Sequence, residues 1–269
     1  MDPSELLDVA SDAAHVAGSL LRARFEAGRE ERVDSKSTPT DPVSEADLAS
    51  QRAIRSLLEE RRPQDGFLAE EEGADQAGTS GLRWVVDPLD GTVNYLYGIP
   101  QWCVSIAVCD AHGALAGVVH APMSGETFTA VRGEPARRDG VELAWLGGAA
   151  PLLGQALVAT GFAYESSVRE QQADLLTRLL PRVRDIRRFG SAALDLAWTA
   201  MGRYDAYFER GVNLWDIAAG ALVCDCVGLV TREIDGGFMV APPALIDELA
   251  SIVAPPGEAA GPLPRVPRD

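Results

Sequence analysis

Apolar residues recur every three to four positions in several segments, which is the spacing of amphipathic helices. The first segment covers residues 3–26 and is followed by Gly28, a residue type that commonly ends a helix. The second covers residues 48–61 and follows Ser44, which can cap a helix together with Asp47 three residues later. The pattern predicts further helices in the second half of the chain, over residues 167–180, 194–201, 217–227 and 243–253.

Shorter apolar runs bounded by Gly, Pro or charged residues predict β-strands. Three consecutive runs predict an antiparallel meander, at residues 102–109, 114–120 and 126–131. The run at 84–86 is expected to end at Asp87, because Pro88 cannot donate to a strand ladder. The remaining predicted strands cover residues 65–69, 157–160, 183–188, 203–208, 228–234 and 238–240.

The order of these elements predicts two structured parts and a tail. A stretch rich in Gly and Ala at residues 144–151 indicates a boundary between the parts. We therefore expect an α+β part over residues 1–150 and an α/β part over residues 151–253. Residues 254–269 are rich in Pro and Gly and are predicted to be disordered.

Composition narrows the functional classes. The 269 residues carry a formal net charge of −16, which argues against a general nucleic-acid-binding protein. No apolar run is long enough to span a membrane, and acids near the start interrupt any signal-peptide pattern. We therefore expect a cytoplasmic protein without nucleic-acid or membrane partners. The four cysteines lack metal-binding spacing and are interpreted as small buried hydrophobic residues.

Acidic residues stand at the ends of several predicted elements, where ligands gather. They are Asp47 and Asp216 at helix starts, and Glu70, Asp87 and Asp90 at strand ends. Carboxylates clustered in this way can hold Mg²⁺, and Mg²⁺ can hold a phosphate. An ordinary interpretation also exists, because first-turn acids stabilise helices and an Asp-Pro pair makes a turn. For Lys36, the only lysine, a solvated loop position and a functional position are equally open.

Four motifs narrow these alternatives when they are taken together. They are Asp41-Pro42-Val43-Ser44-Glu45-Ala46-Asp47, Glu70-Glu71, Trp84-Val85-Val86-Asp87-Pro88-Leu89-Asp90-Gly91-Thr92-Val93-Asn94 and Trp215-Asp216-Ile217-Ala218-Ala219-Gly220. In order and spacing they resemble the inositol monophosphatase family, whose members are Mg²⁺-dependent, Li⁺-sensitive phosphatases of sugar and nucleotide phosphates. The resemblance extends over nearly the whole chain, to about Val253.

The resemblance implies an α/β (α+β) fold with αβαβα layers, a homodimer, and a site for two or three Mg²⁺ ions. The implied metal ligands are the carboxylates of Glu70, Asp87, Asp90 and Asp216 and the carbonyl of Leu89. The implied catalytic residues are Asp47, Thr92 and Glu70. Thr92 paired with Asp47 would orient and deprotonate the attacking water, and Glu71 would support a further metal ion through water.

The resemblance also implies how the substrate is held. The implied substrate-binding residues are Gly91, Thr92, Ala192, Glu209 and Lys36. Two divalent ions can stabilise both the attacking and the leaving oxygen of a phosphate ester. Because the motifs contain no His or Cys nucleophile, we expect direct attack by water without a phosphoenzyme.

Substrate choice is less constrained than chemistry. Similarity to actinobacterial members favours inositol monophosphate or a similar small polyol phosphate. The family alternatives are phosphatases of histidinol phosphate, fructose 1,6-bisphosphate or 3′-phosphonucleotides, and a non-catalytic regulatory binding protein is an alternative of another class. The sequence departs from the family pattern at the 133–140 hairpin and between Gly237 and Ala241, and both departures lie away from the implied metal ligands.

Overall fold

The computed structural model describes residues 2–28, 33–35, 42–71, 75–145, 152–234 and 236–254. The helices of these residues are α1 (Pro3–Ala27), α2 (Glu45–Arg61), α3 (Thr92–Leu96), α4 (Ser166–Leu179), α5 (Ala192–Ala200), α6 (Leu214–Cys226) and α7 (Ile246–Val253). The strands are β1 (Val33–Ser35), β2 (Pro42–Ser44), β3 (Gly66–Ala69), β4 (Arg83–Asp90), β5 (Cys103–Asp110), β6 (Gly113–Ala121), β7 (Glu126–Val131), β8 (Arg137–Arg138), β9 (Val141–Glu142), β10 (Leu157–Thr160), β11 (Asp185–Arg187), β12 (Ala206–Arg210), β13 (Val230–Ile234) and β14 (Gly237–Ala241). Lys36 and the predicted disordered tail beyond residue 254 lie outside the described residues.

Two main sheets organise these elements. The larger sheet has seven strands in the order β3-β4-β5-β6-β7-β8-β9, with β3 parallel to β4 and the other neighbours antiparallel. Its β5-β6-β7 part confirms the predicted meander. The smaller sheet has the order β11-β10-β12-β14-β13 and mixes parallel and antiparallel pairs.

Three apolar cores separate five layers. One core lies between α1, α2 and the larger sheet, and Leu21, Ile54 and Trp84 belong to it. A second core joins both sheets to α5 and α6, and a third packs α4 and α7 against the smaller sheet. Because burying apolar surface is the main stabilising contribution, each amphipathic element has a face that requires such a layer. The order helix, sheet, helix, sheet, helix confirms the predicted αβαβα fold.

Some predicted boundaries are wrong near the acidic residues. Strand β4 does not stop at Asp87 but continues through Pro88 to Asp90, and its pairing with β5 shifts register between Asp87 and Asp90. Pro88 is tolerated because this irregularity removes the need for its missing N–H. Gly91, with φ of 100°, is the N-cap of α3, and this helix begins without a side-chain cap hydrogen bond.

The second core contains residues from both predicted parts, including Val85 and Phe238. The predicted boundary at residue 150 therefore separates two sheets that share one apolar core. The division into two domains stays a prediction. Within the described residues, every helix is too short or too polar to cross a bilayer.

Candidate active site

A cavity of about 370 Å³ collects most of the predicted site residues. Its lining includes the predicted metal and phosphate residues Glu70, Asp87, Leu89, Asp90, Gly91, Thr92 and Asp216, and the predicted pocket-wall residues Ala192 and Glu209. These residues come from the ends of β3 and β4, from β12, and from the starts of α3, α5 and α6. The fold thus brings together acids that are up to 146 positions apart between Glu70 and Asp216.

The irregular end of β4 presents two carboxylates to this cavity. Asp87 is 2% exposed, and its Oδ1 accepts a hydrogen bond from the Leu89 N–H at 3.0 Å. The carbonyl of Pro88 accepts a 2.7 Å hydrogen bond from the Ser50 hydroxyl of α2, which fixes the turn from outside. Since the register shift lies between Asp87 and Asp90, both acids can face the same side of a strand that would otherwise alternate.

Asp90 is held by the start of α5. Its Oδ2 accepts hydrogen bonds from the Ser191 hydroxyl and the Ala193 N–H, both at 2.7 Å, and its Oδ1 accepts one from the Ala192 N–H at 3.1 Å. Burial raises the pKa of Asp90 to about 6, although these hydrogen bonds oppose the shift. The charge of Glu70 contributes in the same direction as burial.

Asp216 occupies the third position of α6. It forms a capping box with Asn213, whose N–H donates to Asp216 Oδ2 at 2.6 Å. Burial, followed by the charge of Glu70, raises the pKa of Asp216 well above its ordinary value. The charge of Glu70 is therefore close enough to both Asp90 and Asp216 to disfavour their charged forms.

Thr92 and Asp47 form a pair at the edge of the acid cluster. The Thr92 hydroxyl donates to Asp47 Oδ1 at 2.8 Å and also lies 3.1 Å from the Leu89 carbonyl oxygen. Asp47 is completely buried, and its Oδ2 accepts from the N–H and the hydroxyl of Ser44 at 2.9 and 2.5 Å. The predicted capping box of α2 is confirmed, and the same carboxylate that caps the helix also contacts Thr92.

Glu209 and Ala192 line the wall of the cavity, as predicted. Glu209 accepts a 3.0 Å hydrogen bond from the Tyr207 hydroxyl, and burial raises its pKa to about 7. A Cβ atom on Gly161 would overlap the Glu209 carboxylate, so glycine is required at that position for this side chain to stay in place. Glu71 is 4% exposed, and its N–H donates to Gln51 Oε1 at 3.2 Å.

Sequence patterns did not indicate the individual contacts of three residues beside this site. Ser191 binds Asp90, Arg188 lines the cavity, and Asp195 lies buried at 1% exposure within α5. Burial and the charges of Glu209 and Asp90 raise the pKa of Asp195 well above its ordinary value. The sequence did contain a signal for Asp195, because it is an isolated acid among the apolar residues of α5. A contact such as that of Ser191 with Asp90 joins α5 to the larger sheet and leaves no local signal in the sequence.

The donor set fits a hard divalent cation. Four carboxylates and one backbone carbonyl supply only oxygen, the ligand atom that Mg²⁺ prefers. The raised pKa values of Asp90 and Asp216 indicate negative charge that a cation would compensate. Among the residues that the structure describes, no group of three His, Cys, Asp or Glu side chains lies at metal-binding distances. Hydrogen bonds from the start of α5 orient Asp90, and a hydrogen bond from Asn213 orients Asp216. Because the acid side chains that the structure describes do not converge at metal-binding distances, they would have to adjust when a cation binds.

A larger cavity of about 830 Å³ borders a different stretch of α6. Its lining includes Leu143, Trp145, Ile217 and Leu222, and it is mostly apolar. None of the predicted site residues that the structure describes lines it. The larger cavity would be the candidate active site if volume were the criterion. The smaller cavity is the better candidate because the predicted acidic residues line it.

Comparisons with known proteins agree with this fold. A model of the inositol monophosphatase family matches residues 2–263. The inositol-1-monophosphatase SuhB of Mycobacterium tuberculosis (strain H37Rv) is 40% identical, and the alignment covers 92% of this chain and 93% of that protein. The Nus factor SuhB of Pasteurella multocida (strain Pm70) is 37% identical, with 93% and 96% covered. The crystal structure of extragenic suppressor protein suhB from Bartonella henselae matches with a TM-score of 0.85 at 32% identity, covering 93% of this chain and 98% of that one.

The five-layer fold and the acid-lined cavity are typical of a phosphatase. The chain belongs to the inositol monophosphatase family. Members of this family are generally metal-dependent, which agrees with the oxygen-only donor set of the cavity.

Proposed function

We propose that this protein is a Mg²⁺-dependent phosphomonoesterase that hydrolyses inositol monophosphate or a similar small polyol phosphate. The observation that carries the proposal is the Thr92–Asp47 hydrogen bond of 2.8 Å beside four acids that line one cavity. A hydroxyl paired with a buried carboxylate can accept a proton from water, and acids can hold the ions that bind phosphate. The relative named inositol-1-monophosphatase, at 40% identity, supports the choice of substrate.

In this proposal the side chains divide the work. Glu70, Asp87, Asp90 and Asp216 hold two or three Mg²⁺ ions together with the Leu89 carbonyl. When bound, these ions would supply an activated water and charge compensation at the leaving oxygen. Asp47 accepts the Thr92 proton, which leaves a Thr92 lone pair to accept a proton from the attacking water. Gly91 lets the backbone approach the phosphate, and Glu209 accepts hydrogen bonds from the substrate hydroxyls.

Several finer features belong to the same proposal. A homodimer, lithium sensitivity, a cytoplasmic location and a substrate contact by Lys36 follow from the family resemblance alone. Ala192 belongs to the substrate wall because it lines the cavity beside the start of α5. Light scattering after gel filtration measures the oligomeric state, and inhibition by LiCl at fixed Mg²⁺ measures the sensitivity.

The test is phosphate release by the purified protein with Mg²⁺ and with EDTA. The substrate panel contains inositol 1-phosphate, histidinol phosphate, fructose 1,6-bisphosphate and a 3′-phosphonucleotide. We expect Mg²⁺-dependent release with the highest kcat/KM on inositol 1-phosphate. Faster turnover of histidinol phosphate, the bisphosphate or the nucleotide would correct the substrate while keeping the enzyme class.

One observation favours a second candidate function. A relative at 37% identity is named a Nus factor, so the same fold could serve as a regulatory binding protein. Replacement of metal-binding acids is expected in a protein that has kept only such a role, whereas all five of the implied ligand positions are occupied here. Absence of Mg²⁺-stimulated release on every ester of the panel would favour the regulatory function.

A further inference from the structure

The cavity has a second wall, made of lining residues that do not belong to the acid cluster. Phe162, Tyr164, Arg188 and Glu209 line this wall. Glu209 is fixed by the Tyr207 hydroxyl and by the space that Gly161 leaves for it. The Glu209 carboxylate is therefore a well-positioned hydrogen-bond acceptor for a substrate. A substrate hydroxyl also needs a hydrogen-bond donor on the same wall.

Arg188 is the cation of this wall that is not engaged elsewhere. Its Cζ lies 5.9 Å from the centre of the Phe162 ring, and a Cβ on Gly190 would stand 2.5 Å from Arg188 Nη1. Within the described part of the chain, no hydrogen bond or ion pair holds its guanidinium. The neighbouring Arg187, by contrast, is bound to Asp185 at 2.6 Å and does not line the cavity.

Arg188 brings hydrogen-bond donors to the same cavity that Glu209 lines with its acceptor. A guanidinium carries five N–H donors in a fixed plane, and its charge persists at any working pH. A hydroxyl can both donate and accept, so a group with several hydroxyls can satisfy a carboxylate and a guanidinium at once. Glu209 and Arg188 also interact electrostatically, since the Arg188 charge lowers the pKa of Glu209 against the effect of burial.

We propose that Arg188 donates hydrogen bonds to hydroxyl groups of the leaving group and selects hydroxyl-rich phosphate esters over plain ones. The proposal rests on the phosphatase function proposed above and assigns its specificity to a second residue beside Glu209. A second phosphate is a less suitable partner, because the Glu209 carboxylate on the same wall would repel it.

The experiment compares Arg188→Ala and Arg188→Lys with wild type on two esters. Inositol 1-phosphate has hydroxyls that can contact the wall, and para-nitrophenyl phosphate has none on its leaving group. For Arg188→Ala we expect kcat/KM on inositol 1-phosphate to fall about 10-fold or more, mainly through KM, the size of a lost charged hydrogen bond. On the nitrophenyl ester we expect a change below about 2-fold.

Two comparisons separate contact with substrate from structural damage. Arg188→Lys keeps the charge and three donors, so part of the loss on inositol 1-phosphate is expected to be recovered. Arg187→Ala is the matched control, because it removes a neighbouring arginine outside the cavity, and both esters should keep wild-type rates.

Each other result overturns the assignment. An equal loss on both esters would place Arg188 at the phosphate or in the fold, and no loss on either would remove it from recognition. A loss larger on fructose 1,6-bisphosphate than on inositol 1-phosphate would assign a second phosphate to Arg188 instead. If the wild-type protein releases no phosphate from inositol 1-phosphate or from any other ester of the substrate panel, the phosphatase function itself fails, and this inference fails with it.

Discussion

Individual side chains in this protein serve both the fold and the candidate site. Asp47 caps α2 through Ser44 and also accepts the hydrogen bond of Thr92. The sequence could predict the capping box, because its spacing is local, and the family motif added the contact with Thr92. Contacts such as Ser191 with Asp90 join positions about a hundred residues apart, so no local pattern reports them.

Removal of the Thr92 hydroxyl should slow catalysis. Thr92→Val keeps the shape of the side chain but removes the group that would accept a proton from water. We expect kcat to fall by about 10²–10⁴, the usual contribution of a general base. Steady-state phosphate release measures the change, and circular dichroism checks that the fold persists.

Thr92→Ser is the matched control for this change. It restores a hydroxyl within reach of Asp47, so most of the lost rate should return. If Thr92→Val keeps near-wild-type kcat, or if Thr92→Ser is as slow as Thr92→Val, the Thr92–Asp47 pair does not activate water.

The buried imidazole of His120 should make the stability of the protein depend on pH. Burial, followed by the charge of nearby His15, lowers the pKa of His120 to about 4, and Asp139 acts weakly in the opposite direction. An unfolded histidine titrates near pH 6.5, so between these values the unfolded chain binds more protons than the folded one. The contribution of His120 to the free energy of unfolding should therefore decrease as the pH falls from about 6.5 toward 4, whereas the raised pKa values of buried acids such as Asp90 and Glu209 act in the opposite direction.

Urea unfolding at steps between pH 7 and pH 4 measures this decrease. Relative to wild type, His120→Gln should lose less stability or gain more as the pH falls, because the buried imidazole is gone. His112→Gln removes an exposed imidazole that does not act on His120 and serves as the control, with a pH dependence close to that of wild type. Identical curves for His120→Gln and wild type would show that His120 does not cause the dependence.

At the scale of elements, most helices and strands could be predicted, and the errors have physical reasons. Helix α6 begins at Leu214 rather than at 217, because Asn213 and Asp216 cap it, and this Asn-x-x-Asp signal was readable in the sequence. Helix α5 begins at Ala192 rather than at 194. Its first N–H groups bind Asp90 from the other sheet, so the start of α5 could not be found from its own residues.

The packing of α5 against α6 depends on a glycine. A Cβ on Gly220 would stand 2.7 Å from Leu196 Cβ and 3.1 Å from the Ala193 carbonyl oxygen. We expect Gly220→Ala to destabilise the protein by about 1–3 kcal/mol through overpacking, which outweighs a gain of about 1 kcal/mol in helix propensity. Thermal unfolding should show a lower Tm.

A double-mutant cycle identifies the contact responsible. Leu196→Ala removes Leu196 Cδ1, which would lie 3.0 Å from the new methyl group, and lets the retained Cβ shift away from it, so the double variant should lose less stability than the two single variants together. Strict additivity would mean that Gly220→Ala acts through something other than Leu196.

At the scale of the whole molecule, the acid cluster connects layers that the sequence presents as separate parts. Asp87 and Asp90 belong to the larger sheet, Asp216 belongs to the middle helices, and the start of α5 binds Asp90. The family motifs predicted the layered fold and the members of this cluster. They could not predict that the start of α5 supplies the hydrogen bonds that orient Asp90, since those contacts exist only after α5 packs with the larger sheet in one core.

This arrangement makes metal binding a property of the folded molecule as a whole. The unfolded chain does not hold the acids together, so Mg²⁺ should bind the native state and raise its stability. At a concentration about 100 times the dissociation constant, the gain is about 2.7 kcal/mol. We expect wild-type Tm to rise with Mg²⁺ and to return to its starting value with EDTA.

Asp216→Asn separates this linkage from general salt effects. Burial and the Glu70 charge raise the pKa of Asp216, so a neutral amide should leave the metal-free protein as stable as wild type or more stable. Loss of a ligand charge should at the same time remove most of the Mg²⁺-induced increase in Tm. Asp225→Asn changes an acid near the other end of α6, outside the cavity, and should keep the full increase. An equal Mg²⁺ response in Asp216→Asn and Asp225→Asn would contradict a role of Asp216 as a metal ligand, because surface charge alone would then account for the stabilisation.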